Sequence, residues 1–275
     1  MPEVIGHYHV LDRLGAGGIG ELYRARDERL GRTVAVRVVS EELAADPDRR
    51  AGLIEAARKA ASLSHPNIAA VYEVGEEDGR PFLALEFVPG EPLTRLIDGR
   101  AMSPRRSIGY LIQLADALAE AHAVGIEHGY LTTSNIVVTP KGVTKILDVG
   151  IAGWTRAARS LEPVADLHAL GAVLLELLTG IRRSTSALAT SSEALPVEDA
   201  EIGRILRKLG VTDGQGGYAS AASVAADLRA VAERLDLPRA DASDRPPGAP
   251  LPRWLLIVLA LLVIALIVSV AIRLL

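Results

Sequence analysis

Residues 125–139 read GIEHGYLTTSNIVVT, and the pattern around this stretch decides how the chain folds. The segment before it, residues 105–125, has apolar spacing typical of an amphipathic helix. The buried face predicted for this helix consists of Ile108, Leu111, Ala115, Leu118 and His122. The segments VTKILDVG at 143–150 and DLHALGAVLLELLTG at 166–180 follow. The stretch therefore lies between a predicted helix and two further apolar segments.

The first forty residues alternate apolar and polar side chains on both sides of a glycine cluster, which predicts a small antiparallel sheet. Gly15, Gly17 and Gly20 have G-x-G-x-x-G spacing, in which missing side chains let backbone N–H groups approach a phosphate. A dinucleotide-binding fingerprint would open a helix, but residues 21–25 continue as a strand. A glycine hairpin without a ligand is the alternative. A helical stretch is predicted over residues 53–74.

Composition limits the classes of function. The chain has 275 residues, about half of them hydrophobic, so it can bury the core of one large domain or two small ones. A net charge of −4 gives no broad positive field, which argues against a nucleic-acid partner. The absence of cysteine excludes disulfides and thiolate chemistry.

The C-terminal segment is predicted to cross a membrane. Residues 254–272 carry no charge, and at about 1.5 Å per residue they span roughly the 30 Å hydrocarbon layer. A single transmembrane helix is expected over residues 253–273, with a buried core helix as the alternative. Three arginines precede the span and one follows it, which places the large N-terminal part in the cytoplasm. Residues 236–252 are rich in proline and form a linker.

Several motifs occur in one order along the chain. They are the glycine loop, VAVR at 34–37, SHPNI at 64–68, a hinge at 86–88, HGYLTTSN at 128–135, DVG at 148–150 and DLHALG at 166–171. From about residue 8 to residue 235 the sequence resembles the eukaryotic-type serine/threonine protein kinases of bacteria. The resemblance implies a two-lobed α+β fold with ATP between the lobes. The sheet-rich N-terminal lobe would cover residues 8–88 and the helical C-terminal lobe residues 89–235.

The resemblance also implies the binding residues of the cleft. It assigns Mg²⁺ or Mn²⁺ binding to Asn135 and Asp148, for which a purely structural role as turn and cap residues is the alternative. It assigns contacts with the nucleotide to Gly15, Gly17, Gly20, Ala35, Arg37, Glu86 and Val88.

The catalytic loop departs from the family pattern. Tyr130 stands where the family has the Asp that accepts the proton of the substrate hydroxyl, and a phenol, with an ordinary pKa near 10, is a poor base at neutral pH. Gly129 replaces the preceding Arg, and Thr132 replaces the Lys that contacts the transferred phosphate. No carboxylate lies between His128 and Asn135 to take over.

The N-terminal lobe departs from the family as well. Arg37 replaces the strand Lys that pairs with the phosphates, and Ala56 replaces the helix Glu that pairs with that Lys. Glu55 is adjacent, but one residue corresponds to about 100° around a helix, so its side chain should point away. The strand–helix ion pair is therefore expected to be absent.

Two further residues are expected to serve the fold. By the resemblance, the ring of His128 braces the D-V-G turn and Asp166 binds the backbone of the catalytic loop. The segment before Asp166 is short for an activation segment, and Glu162-Pro163 reverses the family's order of acid and proline. The late Arg that would pair with that acid is replaced by Gly217.

These features together predict a membrane-anchored pseudokinase, single-pass in the cell membrane, whose cytoplasmic domain is a binding and signalling module for a protein partner. Weak ATP binding, favoured by Mg²⁺ or Mn²⁺, is expected without phosphoryl transfer. The alternatives are an active atypical serine/threonine kinase and a membrane adaptor that binds no nucleotide. Ala265 and Ser269 have the small-residue spacing that favours a homodimer through the membrane helix.

Overall fold

The computed structural model of the protein describes residues 2–155, 162–182, 199–210 and 216–234. The predicted linker at 236–252 and the predicted transmembrane helix at 253–273 lie outside the described residues. Among the helices that the structure describes, none is both long and apolar enough to cross a bilayer.

The N-terminal part is a six-stranded sheet in which every neighbouring pair of strands is antiparallel, with strand order β1-β2-β3-β4-β6-β5. The sheet predicted from alternating side chains is confirmed. Its strands are β1 Val4–Ile5, β2 Tyr8–Gly17, β3 Gly20–Asp27, β4 Arg32–Val39, β5 Val71–Glu77 and β6 Arg80–Glu86.

Two helices, α1 Glu41–Ala45 and α2 Pro47–Ala60, connect β4 to β5. Asp46 caps α2 by accepting hydrogen bonds from the backbone N–H groups of residues 48 and 49. The helix predicted over residues 53–74 is wrong beyond Ala60, because residues 71–77 form β5. Pro66 disfavours helical dihedrals in the residue before it, which is consistent with this break.

The C-terminal part is mainly helical. Its long helix α4 buries the predicted apolar face completely at Ile108, Leu111, Ala115 and Leu118. The helices are α3 Leu93–Ile97, α4 Pro104–Ala123, α5 Pro163–Thr179, α6 Ala200–Gly210 and α7 Ala221–Arg234. A small sheet has the order β7-β8-β9, from Glu91–Pro92, Ile136–Val138 and Thr144–Ile146, and short 3-10 helices cover Thr133–Asn135 and Ala152–Thr155.

The apolar core is divided between the two parts. The largest cluster lies in the C-terminal part and centres on α4, α5 and their neighbours. Two smaller clusters lie on either face of the N-terminal sheet, and one of them includes Ile151, which comes from the other half of the chain. The predicted two-lobed α+β fold, with a sheet lobe and a helical lobe, is confirmed.

Candidate functional site

The glycine cluster forms the hairpin between β2 and β3, as the sequence predicts. A Cβ atom on Gly20 would lie 1.9 Å from the carbonyl oxygen of Val38, so packing against the neighbouring strand requires glycine there. A Cβ atom on Gly15 or Gly17 would meet no atom within 4 Å. The fold therefore does not require glycine at the first two positions, Gly15 and Gly17, and the open space beside them leaves room for a ligand.

The ring of His128 is fully buried beneath the catalytic-loop position. Its Nδ1 accepts a hydrogen bond from the N–H of Tyr130 at 3.2 Å, so the proton of the neutral ring is on Nε2. Nε2 then donates to the carbonyl oxygen of Leu147 at 3.0 Å, directly before Asp148. Burial lowers the pKa of His128 and keeps the ring neutral. The predicted brace of the D-V-G turn is present.

Asp166, at the start of α5, organises the same loop from below. Its carboxylate accepts hydrogen bonds from the N–H groups of His128 and Gly129, at 2.8 and 2.9 Å, and contacts His122 Nε2 at 2.8 Å. Burial would raise the pKa of Asp166, but the contact with His122 and the two backbone donors outweigh it and hold the pKa below its usual range. Asp166 occupies the structural position that the sequence predicts.

The loop itself is held by Asn135. Its Oδ1 accepts a hydrogen bond from the N–H of Thr132 and its Nδ2 donates to the carbonyl oxygen of Tyr130, each at 2.8 Å. Both polar atoms of this predicted metal ligand therefore have protein partners. The side chain of Tyr130 is 40% exposed at the position where the family has its catalytic base.

Arg37 and Asp148 form an ion pair across the lobes. Arg37 lies on β4, and its Nη2 donates to Asp148 Oδ2 at 2.7 Å. The two side chains are only 10% and 14% exposed. Glu55 lies on the exposed side of α2, as expected from its register, and Ala56 has no charge to offer. The partner of Arg37 is thus the predicted metal ligand, which sequence reasoning did not foresee.

This arrangement does not fit a divalent metal ion. Asp148 is engaged by a guanidinium group, and the amide of Asn135 is used within its own loop. The described residues also contain no cluster of three or more His, Cys, Asp or Glu side chains that could hold a metal. Metal binding at Asn135 and Asp148 therefore remains a prediction that requires the ion pair to open.

The remaining predicted nucleotide contacts lie on β4 and at the end of β6. Ala35 and Arg37 are two residues apart on one strand, so their side chains share a face of the sheet. The carboxylate of Glu86 accepts hydrogen bonds from the N–H of Ala70 at 3.2 Å and from Lys145 Nζ at 2.8 Å. The latter contact is a second ion pair between the lobes. Val88 is partly buried, two residues beyond the strand.

The chain after Asp148 packs against the N-terminal lobe. Ile151 is fully buried in the apolar cluster between the N-terminal sheet and α2. The Trp154 ring lies so close to α2 that a Cβ atom on Gly52 would overlap it at 2.1 Å. Arg49 Nη2 donates to the carbonyl oxygen of Trp154 at 3.3 Å. Gly52 within an otherwise regular helix was the sequence signal for this close approach, and it was missed.

A polar network begins at Tyr218, directly after Gly217. The hydroxyl of Tyr218 donates to Asp227 at 2.8 Å, and Arg204 and Lys208 contact the same carboxylate at 3.2 and 3.4 Å. The hydrogen bond from Tyr218, followed by the two cations, holds the pKa of Asp227 below its usual range. This network ties α6 to α7 and lies apart from the loop chemistry.

Comparisons with known proteins agree with this geometry. A model of the protein kinase domain matches residues 8–164. The probable serine/threonine-protein kinase SCO3848 of Streptomyces coelicolor is 36% identical over 203 residues, which are 63% of this chain and 30% of that protein. The serine/threonine-protein kinase PknA of Mycobacterium tuberculosis is 35% identical over 206 residues, 64% of this chain and 48% of that protein. The solved PknI kinase domain of Mycobacterium tuberculosis has a TM-score of 0.72 at 25% identity, covering 84% of this chain and 99% of that domain. The chain spans less than half the length of these two curated relatives.

Proposed function

Since this chain belongs to the bacterial eukaryotic-type serine/threonine protein kinase family, we propose that it is a member that has kept the fold and lost phosphoryl transfer. Such a pseudokinase acts as a binding and signalling module for a protein partner. Protein kinases use ATP with Mg²⁺ or Mn²⁺. In this chain we propose that ATP binds weakly and that its phosphate is not transferred.

The observation that carries the proposal is the side chain at the position of the catalytic base. Tyr130 stands there, and the carboxylates of Asp148 and Asp166 already have other partners. Asp166 is buried with three donors, and Asp148 is paired with Arg37. A general base contributes typically 10²–10⁴-fold to a rate, so a loop without one is expected to leave transfer below detection.

The comparisons favour the alternative, an active atypical serine/threonine kinase, because the matched relatives are named as kinases. That function would need a proton acceptor other than Tyr130 and an opened Arg37–Asp148 pair. The third function is a membrane adaptor, which differs from the pseudokinase only because its cleft binds no nucleotide.

Transfer from labelled ATP decides between the first two functions. The full-length chain is incubated with ATP, Mg²⁺ or Mn²⁺ and a generic acceptor protein, beside an Asp148→Ala variant. We expect no incorporation into the chain itself or into the acceptor. Incorporation that Asp148→Ala abolishes would establish an active kinase and remove the pseudokinase proposal.

Membrane attachment is a separate proposal that rests on the apolar, uncharged residues 254–272. We propose a single span that holds the kinase-like domain at the cytoplasmic face, with pairing of two copies through Ala265 and Ser269. The full chain is expected in the membrane fraction, and a chain ended after residue 252 in the soluble fraction. Full-length protein that stays soluble without detergent would contradict the anchor.

A further inference from the structure

In the cleft, the guanidinium group of Arg37 contacts Asp148, the residue that matches a metal ligand in the family. Arg37 reaches from the sheet to Asp148, and the pair is nearly buried. A guanidinium group has five N–H donors in a planar fork. The contact with Asp148 uses Nη2, so donor capacity remains on the same group.

The remaining donor capacity includes an atom without a partner. Within the part of the chain that the structure describes, Arg37 Nε is buried and has no hydrogen-bond acceptor. A buried N–H of this kind is costly to leave unsatisfied. The neighbouring glycine hairpin offers open space at Gly15 and Gly17. An anionic oxygen entering beside Arg37 would supply the missing acceptor.

A divalent ion has no comparable place. To coordinate Asp148 it would have to displace the guanidinium or lie beside it, and two cations this close in a partly buried site repel each other. The Oδ1 atom of Asn135 already accepts a hydrogen bond from the N–H of Thr132, so only one of its two lone pairs is left for a metal. The donor set thus favours a guanidinium group over a metal.

We propose that Arg37, held by Asp148, takes the charge-neutralising role of the metal ion, so that the cleft binds the phosphates of a nucleoside triphosphate without a divalent cation. This inference rests on the nucleotide binding in the proposed function. It reverses the expected effect of metal, because Mg²⁺ competes with Arg37 both for Asp148 and for the phosphates. Binding by one protein cation in place of a metal and a lysine is also a reason for weak affinity.

The central test uses the unmodified full-length chain in mild detergent, so it does not depend on the folding of any variant. ATP binding is titrated by calorimetry in EDTA and again in excess MgCl₂ or MnCl₂. We expect binding in EDTA, with a Kd equal to or lower than that in metal. Binding that appears only with Mg²⁺ or Mn²⁺ would overturn the inference while leaving a nucleotide-binding pseudokinase intact.

Two variants separate the roles of the pair. Arg37→Met is expected to weaken ATP binding in EDTA by about tenfold or more, since it removes a charge-assisted hydrogen bond to phosphate. Asp148→Asn keeps an oxygen that can accept from Arg37 but removes the negative charge that competes with the phosphates for the guanidinium, so we expect tighter ATP binding in EDTA. A metal-ligand role for Asp148 predicts the opposite, a loss of binding.

Controls distinguish local from general effects. Arg229→Met removes an arginine from an exposed pair with Asp116, far along the chain on α7, and should leave the Kd within about twofold. The double variant Arg37→Met/Asp148→Asn leaves no buried unpaired charge, so loss of binding in it cannot be attributed to misfolding from that cause. No ATP binding by the unmodified chain in any condition would overturn this inference and the nucleotide part of the proposed function, whereas phosphate transfer would overturn the pseudokinase itself.

Discussion

Replacing Asp166 by Ala is expected to destabilise the C-terminal lobe far more than the loss of an ordinary surface carboxylate. The side chain is 1% exposed and accepts hydrogen bonds from two backbone N–H groups as well as contacting His122. Each buried donor left without an acceptor costs about 1–3 kcal/mol. The two backbone donors alone therefore give about 2–6 kcal/mol, and His122 can turn part of its ring towards solvent. We expect a loss of about 4 kcal/mol in the free energy of unfolding.

Asp166→Asn should lower the free energy of unfolding by less, about 1–3 kcal/mol. Its amide oxygen can still accept one of the hydrogen bonds, but its NH₂ group then faces a second donor and cannot accept from it. The measurement is urea unfolding followed by circular dichroism, on the chain ended after residue 252. Asp116→Ala is the matched control, since it removes a carboxylate from a more exposed pair with Arg229 and should cost below about 1 kcal/mol. If Asp166→Ala and Asp116→Ala unfold at the same urea concentration with equal slopes, the reasoning about buried donors is refuted.

Two further predictions follow from α2 and from the buried histidine. Gly52→Ala should push the Trp154 indole off α2, because the new Cβ atom would overlap the ring. In a chain ended after residue 252, Trp154 is the single tryptophan, so its fluorescence should shift to longer wavelength. Unchanged fluorescence would contradict this packing. The free energy of unfolding should fall as pH drops below the ordinary histidine pKa of 6.5, because the unfolded state takes up a proton that buried His128 refuses. Asp166, whose pKa is also lowered, acts in the same direction below its ordinary pKa of 3.8. Thermal midpoints measured from about pH 7 to about pH 5 should fall and should fall less in His128→Asn, whereas a rising midpoint would count against a neutral ring.

Much of the fold follows from local pattern and motif order. The alternation of apolar and polar side chains over β2 to β4 and the apolar face of α4 are local features of the sequence. Each indicates an element that is stabilised when its apolar face is buried. The supporting roles of His128 and Asp166 follow from the resemblance, because a loop of this shape needs a brace beneath it. Glu55 is exposed for a simple geometric reason, its position on the helix.

Most of the failures come from contacts between residues far apart in sequence. Arg37 and Asp148 are separated by 111 positions. No local pattern around Arg37 indicates that it forms an ion pair with Asp148 when the helix glutamate is absent. The packing of Trp154 on Gly52 and the carboxylate shared at Asp227 are likewise tertiary choices. The end of α2 at Ala60 was missed because helical apolar spacing continues beyond Ala60. Pro66, which disfavours helical dihedrals in the residue before it, was not given enough weight.

The two ion pairs between the lobes also determine how the molecule can move. Arg37–Asp148 and Lys145–Glu86 join the sheet lobe to the helical lobe at two separate points. Directly after Asp148, Ile151 and Trp154 also pack on the N-terminal lobe, so one short segment joins the lobes by charge and by apolar contact. Opening the cleft on this side must therefore break a nearly buried charged contact. A ligand that takes Arg37 away from Asp148 would remove that contact, so occupancy of the cleft and the angle between the lobes are coupled.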